Sequence, residues 1–219
     1  VKDKIKDISA VPIGISTKNV KPYLYNFSEN IINVITSKDM EYTEKFIVNL
    51  ITVFKLISLV EIITIDFSKT IDKEEFNFSE KFNSMKERLN SNLDKREDKR
   101  LIYIIIGMDT FINNLGMDKE SFTKSLDVAQ KCSNCNFIIV DTANKIKAHQ
   151  LDSWYRNFVN NGNGIYIGNG FDSQFVISYE ADRREINSKC GNSFGYVVKR
   201  NKPILIKLLG IEEKRDEDE

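Results

Sequence analysis

The stretch of residues 31–67 constrains the fold of this chain most, because its pattern predicts a strand, a loop, a helix and a second strand in succession. A β-branched run opens the stretch at residues 31–35. Apolar residues then recur at helical spacing through residues 46–57, and residues 62–67 form another β-rich run. Such a unit crosses over within a parallel sheet. Its first loop is the place where a nucleotide would bind.

That loop has the length and position of the phosphate-binding motif G-x-x-x-x-G-K-[ST] but not its residues. The motif holds phosphates with backbone N–H groups, which glycine lets approach closely, and with a lysine ammonium. Thr36 and Glu41 take the glycine positions here, and Tyr42 takes the lysine position. Because a carboxylate repels a triphosphate, the pattern predicts a degenerate phosphate loop. The loop consists of Thr36, Ser37, Lys38, Asp39, Met40, Glu41, Tyr42 and Thr43.

The other half of a nucleotide hydrolase site is altered as well. Residues 101–106 have the length and apolarity of a buried strand, which in such enzymes ends in an aspartate for Mg²⁺ and an acid that activates water. Gly107 and Met108 stand at these positions, and Asp109 comes one or two places late. Asp109 is either a displaced Mg²⁺ ligand or, as we expect, the N-cap of a turn at 110–114. We therefore predict no catalytic residue and no cofactor, with ATP and Mg²⁺ bound only if the altered loop still holds phosphate.

Composition favours a protein or a small ligand as the partner. Basic and acidic residues number 32 each among 219 residues, so no net positive charge attracts nucleic acid. The longest apolar stretch, residues 46–67, is interrupted by charged side chains and is not a membrane span. Three cysteines, an odd number, indicate a reducing compartment.

Two of the cysteines raise the possibility of a metal site. Cys132 and Cys135 have the C-x-x-C spacing of a zinc site, and Cys190 with His149 would complete four ligands. No second closely spaced pair accompanies them, so we expect a helix end that leads into a strand, and no metal. His149 lacks a surrounding pattern typical of a catalytic triad, and we expect it on a helix surface.

The remaining segments predict an α/β domain over residues 11–211. Strands are predicted at 11–15, 22–26, 137–141 and 164–168, a hairpin at 194–199 and 203–209, a short edge segment at 175–179, and helices within 69–100, at 118–131 and at 145–160. Trp154 lies in the apolar stripe of the last helix, either as core packing or as a pocket floor. Residues 1–10 are predicted as a linker and the charged residues 212–219 as a disordered tail.

In this order the segments resemble the last ATPase-like domain of the FtsK/SpoIIIE-type motor proteins of type VII secretion systems in Gram-positive bacteria. The resemblance covers nearly the whole chain and is carried by residues 11–15, 21–24, 36–43, 65–67, 101–109, 164–168, 172–174 and 195–198. It implies a three-layer α/β/α RecA-like P-loop NTPase fold with a mainly parallel central sheet and a C-terminal β-hairpin. Glu41, Tyr42, Gly107 and Met108 depart from the pattern of active members.

The resemblance also implies a parent protein anchored in the bacterial cell membrane, with motor domains on its cytoplasmic side that couple ATP hydrolysis to export. The expected partners are secreted WXG100-type substrates, neighbouring ATPase domains of the same chain and, in the full-length protein, a homo-oligomer. Nucleic acid and direct membrane contact are not expected. We predict a non-hydrolysing domain that recognises substrates or regulates the neighbouring motor domains. The alternatives are a slow ATPase that uses Lys38 and Asp109, and a structural domain that caps an oligomer.

Overall fold

The computed structural model of the chain describes residues 7–71, 74–95 and 99–210. The predicted tail and residues 1–6 of the predicted linker lie outside these residues. Within the linker range, Ile8 is fully buried and packs in the core, and its carbonyl oxygen accepts a hydrogen bond from the backbone N–H of Phe27 (2.9 Å). Residue 8 is therefore part of the packed domain.

The described residues form nine strands and six α-helices. The strands are β1 (Val11–Ser16), β2 (Pro22–Tyr25), β3 (Ile32–Ser37), β4 (Val60–Asp66), β5 (Arg100–Ile106), β6 (Cys135–Thr142), β7 (Gly164–Ile167), β8 (Phe194–Lys199) and β9 (Lys202–Leu208). The helices are α1 (Met40–Phe54), α2 (Phe78–Lys95), α3 (Met108–Leu115), α4 (Lys119–Cys132), α5 (Ala143–Ala148) and α6 (Ser153–Phe158).

All nine strands belong to one sheet, in the order β2-β1-β9-β8-β7-β3-β6-β5-β4. The strands β7, β3, β6, β5 and β4 run parallel to one another and make the larger part. The strands β8, β9, β1 and β2 extend the sheet with antiparallel pairs. Because β3 lies between β6 and β7, the loop that follows β3 is flanked by the carboxyl ends of both neighbours.

Helices cover both faces of the sheet, which confirms the predicted three-layer arrangement. Side chains of β5 alternate between two core clusters, with Tyr103 in one and Ile104 in the other. The helix α1 packs in the cluster that contains Ile104, whereas α2, α3, α4, α5 and α6 contribute to the cluster that contains Tyr103. Trp154 of α6 is 1% exposed and packs in the cluster that contains Tyr103, so it is a core residue.

The predicted C-terminal hairpin is confirmed as β8 and β9, joined by Arg200 and Asn201. Both joining residues have positive φ, 50° and 63°, as a two-residue type I′ turn requires.

Two predicted elements differ from the structure. The single helix predicted at 145–160 is two short helices in the structure: α5 ends at Ala148 and α6 begins at Ser153. The predicted edge segment at 175–179 is not a strand. The backbone N–H groups of Val176 and Ile177 donate instead to Oε1 of Gln174, whose Nε2 donates to the carbonyl oxygen of Ile177. One side chain thereby takes the hydrogen bonds that a neighbouring strand would make.

Candidate functional site

The segment predicted as a phosphate loop is largely regular structure. Thr36 and Ser37 are buried and belong to β3, and α1 begins at Met40, so Lys38 and Asp39 alone connect strand and helix. Tyr42 lies within α1, and its side chain is outside the described part. The eight positions therefore do not form a wide loop.

Side chains of the same segment make hydrogen bonds at the first turn of α1. The carboxylate of Asp39 accepts from the backbone N–H of Glu41 (3.0 Å), as an N-cap does. The hydroxyl of Thr43 donates to that of Ser37 (2.6 Å), which in turn donates to the carbonyl oxygen of Asp39 (2.6 Å). A negative charge of the chain itself thus occupies the helix N-terminus, which is the position where a phosphate would bind.

A small pocket adjoins this turn at the carboxyl ends of β3, β6 and β7. Its volume is about 190 Å³, and Ser37, Lys38, Asn144, Tyr166 and Gln174 are among its lining residues. Burial raises the pKa of Tyr166 to about 12, and its hydroxyl donates to the carbonyl oxygen of Asn169 (2.9 Å). Sites for small molecules usually measure roughly 300–1,000 Å³, so this pocket lies below the usual range.

The positions after β5 form the start of α3. Gly107 is the N-cap, with φ 85° and ψ 55°, and Met108 is fully buried. Asp109 lies in the first turn of the helix, so the prediction that it is an N-cap was wrong. The left-handed conformation of Gly107 turns the chain into the helix before Asp109 is reached.

Asp141, at the carboxyl end of β6, is a site residue that sequence analysis missed. Its buried carboxylate accepts from the backbone N–H groups of Asp109 (3.0 Å) and Thr142 (2.8 Å), and Nζ of Lys145 lies 3.6 Å away. Its carbonyl oxygen accepts from the hydroxyl of Thr36 (2.8 Å). The side chain therefore supplies the helix-capping interaction expected of Asp109. An aspartate that ends a buried strand is the sequence signal that indicates such a residue.

His149 is buried, so the prediction that it lies on a helix surface was wrong. Its Nε2 lies 2.9 Å from Oδ1 of Asp109, and its Nδ1 lies 2.8 Å from Oδ2 of Asp152. The side chain is 7% exposed. Each ring nitrogen therefore lies within hydrogen-bond distance of a different carboxylate.

These contacts join several elements through one polar network. Asp141 of β6 contacts α3, Asp109 of α3 contacts His149, and His149 contacts Asp152, which precedes α6. Nζ of Lys119, at the start of α4, lies 4.0 Å from Asp152. The carboxylate of Asp109, the displaced Mg²⁺ ligand considered above, thus already contacts a histidine of the same chain.

The cysteines do not form a metal site in the described part of the chain. Cys132 ends α4 and Cys135 begins β6, which confirms the predicted helix end leading into a strand. The thiol of Cys190 donates to the carbonyl oxygen of Gly168 (3.4 Å). No group of three or more His, Cys, Asp or Glu side chains among the described residues could hold a metal ion. No helix in those residues is long and apolar enough to span a bilayer.

Strands and helices alternate around a largely parallel sheet, and a strand–turn–helix unit lies at the carboxyl end of β3. This arrangement places the domain in the class with the RecA-like P-loop NTPase fold. No family model and no curated protein matches the sequence.

Within this class the chain has the fold of type VII secretion motor domains, which confirms the resemblance seen in the sequence. It matches "The cytoplasmic domain of EssC" with a TM-score of 0.68 and 10% identity, over 94% of this chain and 44% of that one. EssC (ATPases 2 and 3) from Geobacillus thermodenitrificans matches with a TM-score of 0.68 and 12% identity, over 94% and 42%.

A third similar structure is Thermomonospora curvata EccC (ATPases 2 and 3) in complex with a signal sequence peptide. Its TM-score is 0.68 at 13% identity, over 94% of this chain and 41% of that one. The chain spans less than half the length of each of these three structures.

Proposed function

We propose that this chain is a non-hydrolysing, RecA-like domain of a type VII secretion motor protein and that it recognises secreted WXG100-type substrates. Regulation of the neighbouring ATPase domains of the same parent chain is the related role. The parent is proposed to be anchored in the cell membrane, with this domain on the cytoplasmic side and without direct membrane or nucleic-acid contact. The fold shared with EssC and EccC supports the placement in a secretion motor.

One observation carries the non-hydrolysing assignment: the carboxylate of Asp39 caps the helix at the altered phosphate loop (3.0 Å to the N–H of Glu41). A bound triphosphate would have to approach this charge and displace its hydrogen bond. Glu41 adds a second carboxylate in the first turn of the helix. The pocket of about 190 Å³ beside the turn is also small for a nucleotide.

The alternative of a slow ATPase requires Lys38 for phosphate and Asp109 for Mg²⁺. Oδ1 of Asp109 already lies 2.9 Å from Nε2 of His149, and a metal ion would have to displace that contact. These contacts favour the non-hydrolysing assignment.

A peptide bound to a protein of the same fold supports recognition over a purely structural, oligomer-capping role. The EccC structure (ATPases 2 and 3) is a complex with a signal sequence peptide, and this chain shares its fold at 13% identity. A domain whose reactive positions are replaced while its scaffold is kept is suited to binding, since fold and function separate readily.

Calorimetric titration with Mg-ATP tests the non-hydrolysing assignment. We expect no detectable heat for the wild type. The same titration with Asp39→Asn, which keeps a capping acceptor but removes the charge, serves as the control. Micromolar binding that is lost in both Lys38→Ala and Asp109→Asn would overturn the proposal in favour of the slow ATPase.

A second titration, with a purified secreted WXG100-type protein, tests recognition. Saturable binding is expected in the absence of nucleotide. No binding, together with a change in the oligomeric state of the parent when this domain is deleted, would instead assign the structural role.

A further inference from the structure

We propose that the groove between the β1–β2 turn and the first residues of β9 is a docking site for an acidic segment of a partner polypeptide that also carries apolar side chains. The inference rests on the proposed recognition function and assigns a surface and a ligand chemistry to it. We call this surface the turn groove. Its lining includes Lys18, Pro22, Leu24, Lys199, Pro203 and Leu205.

The turn groove is large enough for several side chains of a bound segment. Its volume is about 660 Å³, against about 190 Å³ for the pocket beside the altered phosphate loop. Ligand pockets commonly measure roughly 300–1,000 Å³. The pocket at the antiparallel end of the sheet therefore has more room for a ligand than the pocket at the nucleotide position.

Core packing fixes the floor of the turn groove. Leu205 packs against the core cluster that contains Tyr103, while Tyr23 and Ile204 pack against the cluster that contains Ile104. The floor is thus continuous with both halves of the core, and the site is formed before a ligand binds. Such preorganisation reduces the entropic cost of binding.

Apolar side chains of the β1–β2 unit are exposed at this place. Leu24 lines the turn groove and is 54% exposed, and Val20, next to the lining residue Asn19, is 80% exposed. Val20 also has a φ of 54°, which β-branched residues rarely adopt. These side chains are largely open to solvent in the described structure, and a partner's apolar side chains would cover them.

The charge around the turn groove is positive. Lys18 and Lys199 line it, and among the residues that the structure describes no aspartate or glutamate does. The adjoining exposed residues Lys21 and Lys202 add to this charge. Glu29 is a carboxylate close by, 2.8 Å from Nζ of Lys199. Because basic and acidic residues balance over the whole chain at 32 each, this local excess favours an acidic ligand by charge complementarity.

The test uses the full chain and a short fluorescein-labelled peptide of leucine and glutamate, followed by fluorescence anisotropy. We expect binding that weakens about tenfold or more in Lys18→Glu and in Leu24→Ser, which corresponds to about 1.4 kcal/mol each. Lys131→Glu and Leu151→Ser are matched control variants, because both side chains are exposed and neither lines the turn groove. A peptide with glutamine in place of glutamate should bind more weakly.

The proposal would be overturned if Lys18→Glu and Leu24→Ser bound the peptide as tightly as the two control variants do. It would also be overturned if the wild type bound the glutamine peptide as tightly as the glutamate peptide. If removal of residues 211–219 tightened peptide binding about tenfold, the occupant would be the acidic end of the chain itself rather than a partner. Concentration-dependent self-association that Leu24→Ser abolishes would assign the turn groove to a second copy of this chain. The same variants are titrated with the WXG100-type protein: binding that is insensitive to Lys18→Glu and Leu24→Ser refutes the turn groove but leaves the recognition function standing.

Discussion

Replacement of His149 by alanine tests whether the polar network stabilises the domain. The imidazole contacts one carboxylate on α3 and another that precedes α6, at 2.9 and 2.8 Å. Alanine removes both contacts and leaves Asp109 and Asp152 without the imidazole that they share. We therefore expect the free energy of unfolding to fall.

The size of the loss follows from the contacts and their exposure. A hydrogen bond to a carboxylate contributes about 1.5–3 kcal/mol, and His149 makes two such contacts. Asp109 and Asp152 are 29% and 27% exposed, so water recovers part of the lost interaction. We expect a loss of about 3 kcal/mol for His149→Ala, which corresponds to a decrease in Tm of about 6–12 °C for a domain of this size.

Urea unfolding followed by tryptophan fluorescence measures this loss, because Trp154, the single tryptophan of the sequence, is 1% exposed in the folded state. Asp109→Asn and Asp152→Asn, alone and combined with His149→Ala, complete double-mutant cycles with expected coupling energies of about 1–2 kcal/mol. A loss below about 0.5 kcal/mol, typical of a surface substitution, would refute the stabilising role.

Four further predictions concern the helix starts and a buried thiol. Asp39→Ala should lower the free energy of unfolding, measured in urea, by about 1 kcal/mol because the helix cap is lost. Asp39→Asn should lower it much less, because asparagine is also a good N-cap residue. Gly107→Ala should cost more than about 1 kcal/mol in the same assay, because φ is 85° and the new Cβ would lie 3.0 Å from Cβ of Phe67; an unchanged midpoint would contradict this. Burial raises the pKa of Cys135 to about 12, so Ellman's reagent should modify this thiol only after unfolding. Because the folded thiol keeps a proton that the unfolded one loses above its ordinary pKa of 9.0, Cys135 should make stability decrease as pH rises beyond that value, an effect that Cys135→Ala removes.

Periodicity in the sequence predicted most elements of the sheet. The run at 101–106 became β5, and the run at 137–141 became part of β6, because strands buried on both faces of a parallel sheet are continuously apolar. The helical spacing around Phe82 and Leu89 likewise predicted α2. Local patterns suffice for such elements since each residue's burial follows from its own strand or helix face.

Polar residues within regular structure were harder to predict. Thr36 and Ser37 look like loop residues in the sequence, yet both belong to β3. Their hydroxyls donate to the carbonyl oxygens of Asp141 and Asp39, respectively, and these hydrogen bonds offset the free-energy cost of burying the hydroxyls. The partner of Thr36 lies on a neighbouring strand, so the spacing of residues in the sequence does not reveal it.

The sequence by itself determined the α/β class, the replaced residues at positions 41, 42, 107 and 108, and the resemblance to secretion motor domains. The tertiary structure alone decided where the charges of the site are satisfied. Asp109 and His149 are 40 residues apart in the chain, and they meet because α3 and α5 follow the adjacent parallel strands β5 and β6. The turn groove also depends on the sheet order, which brings β9 beside β1 across nearly the whole length of the chain. Contacts between distant segments depend on how the strands are ordered, and local sequence patterns do not encode that order.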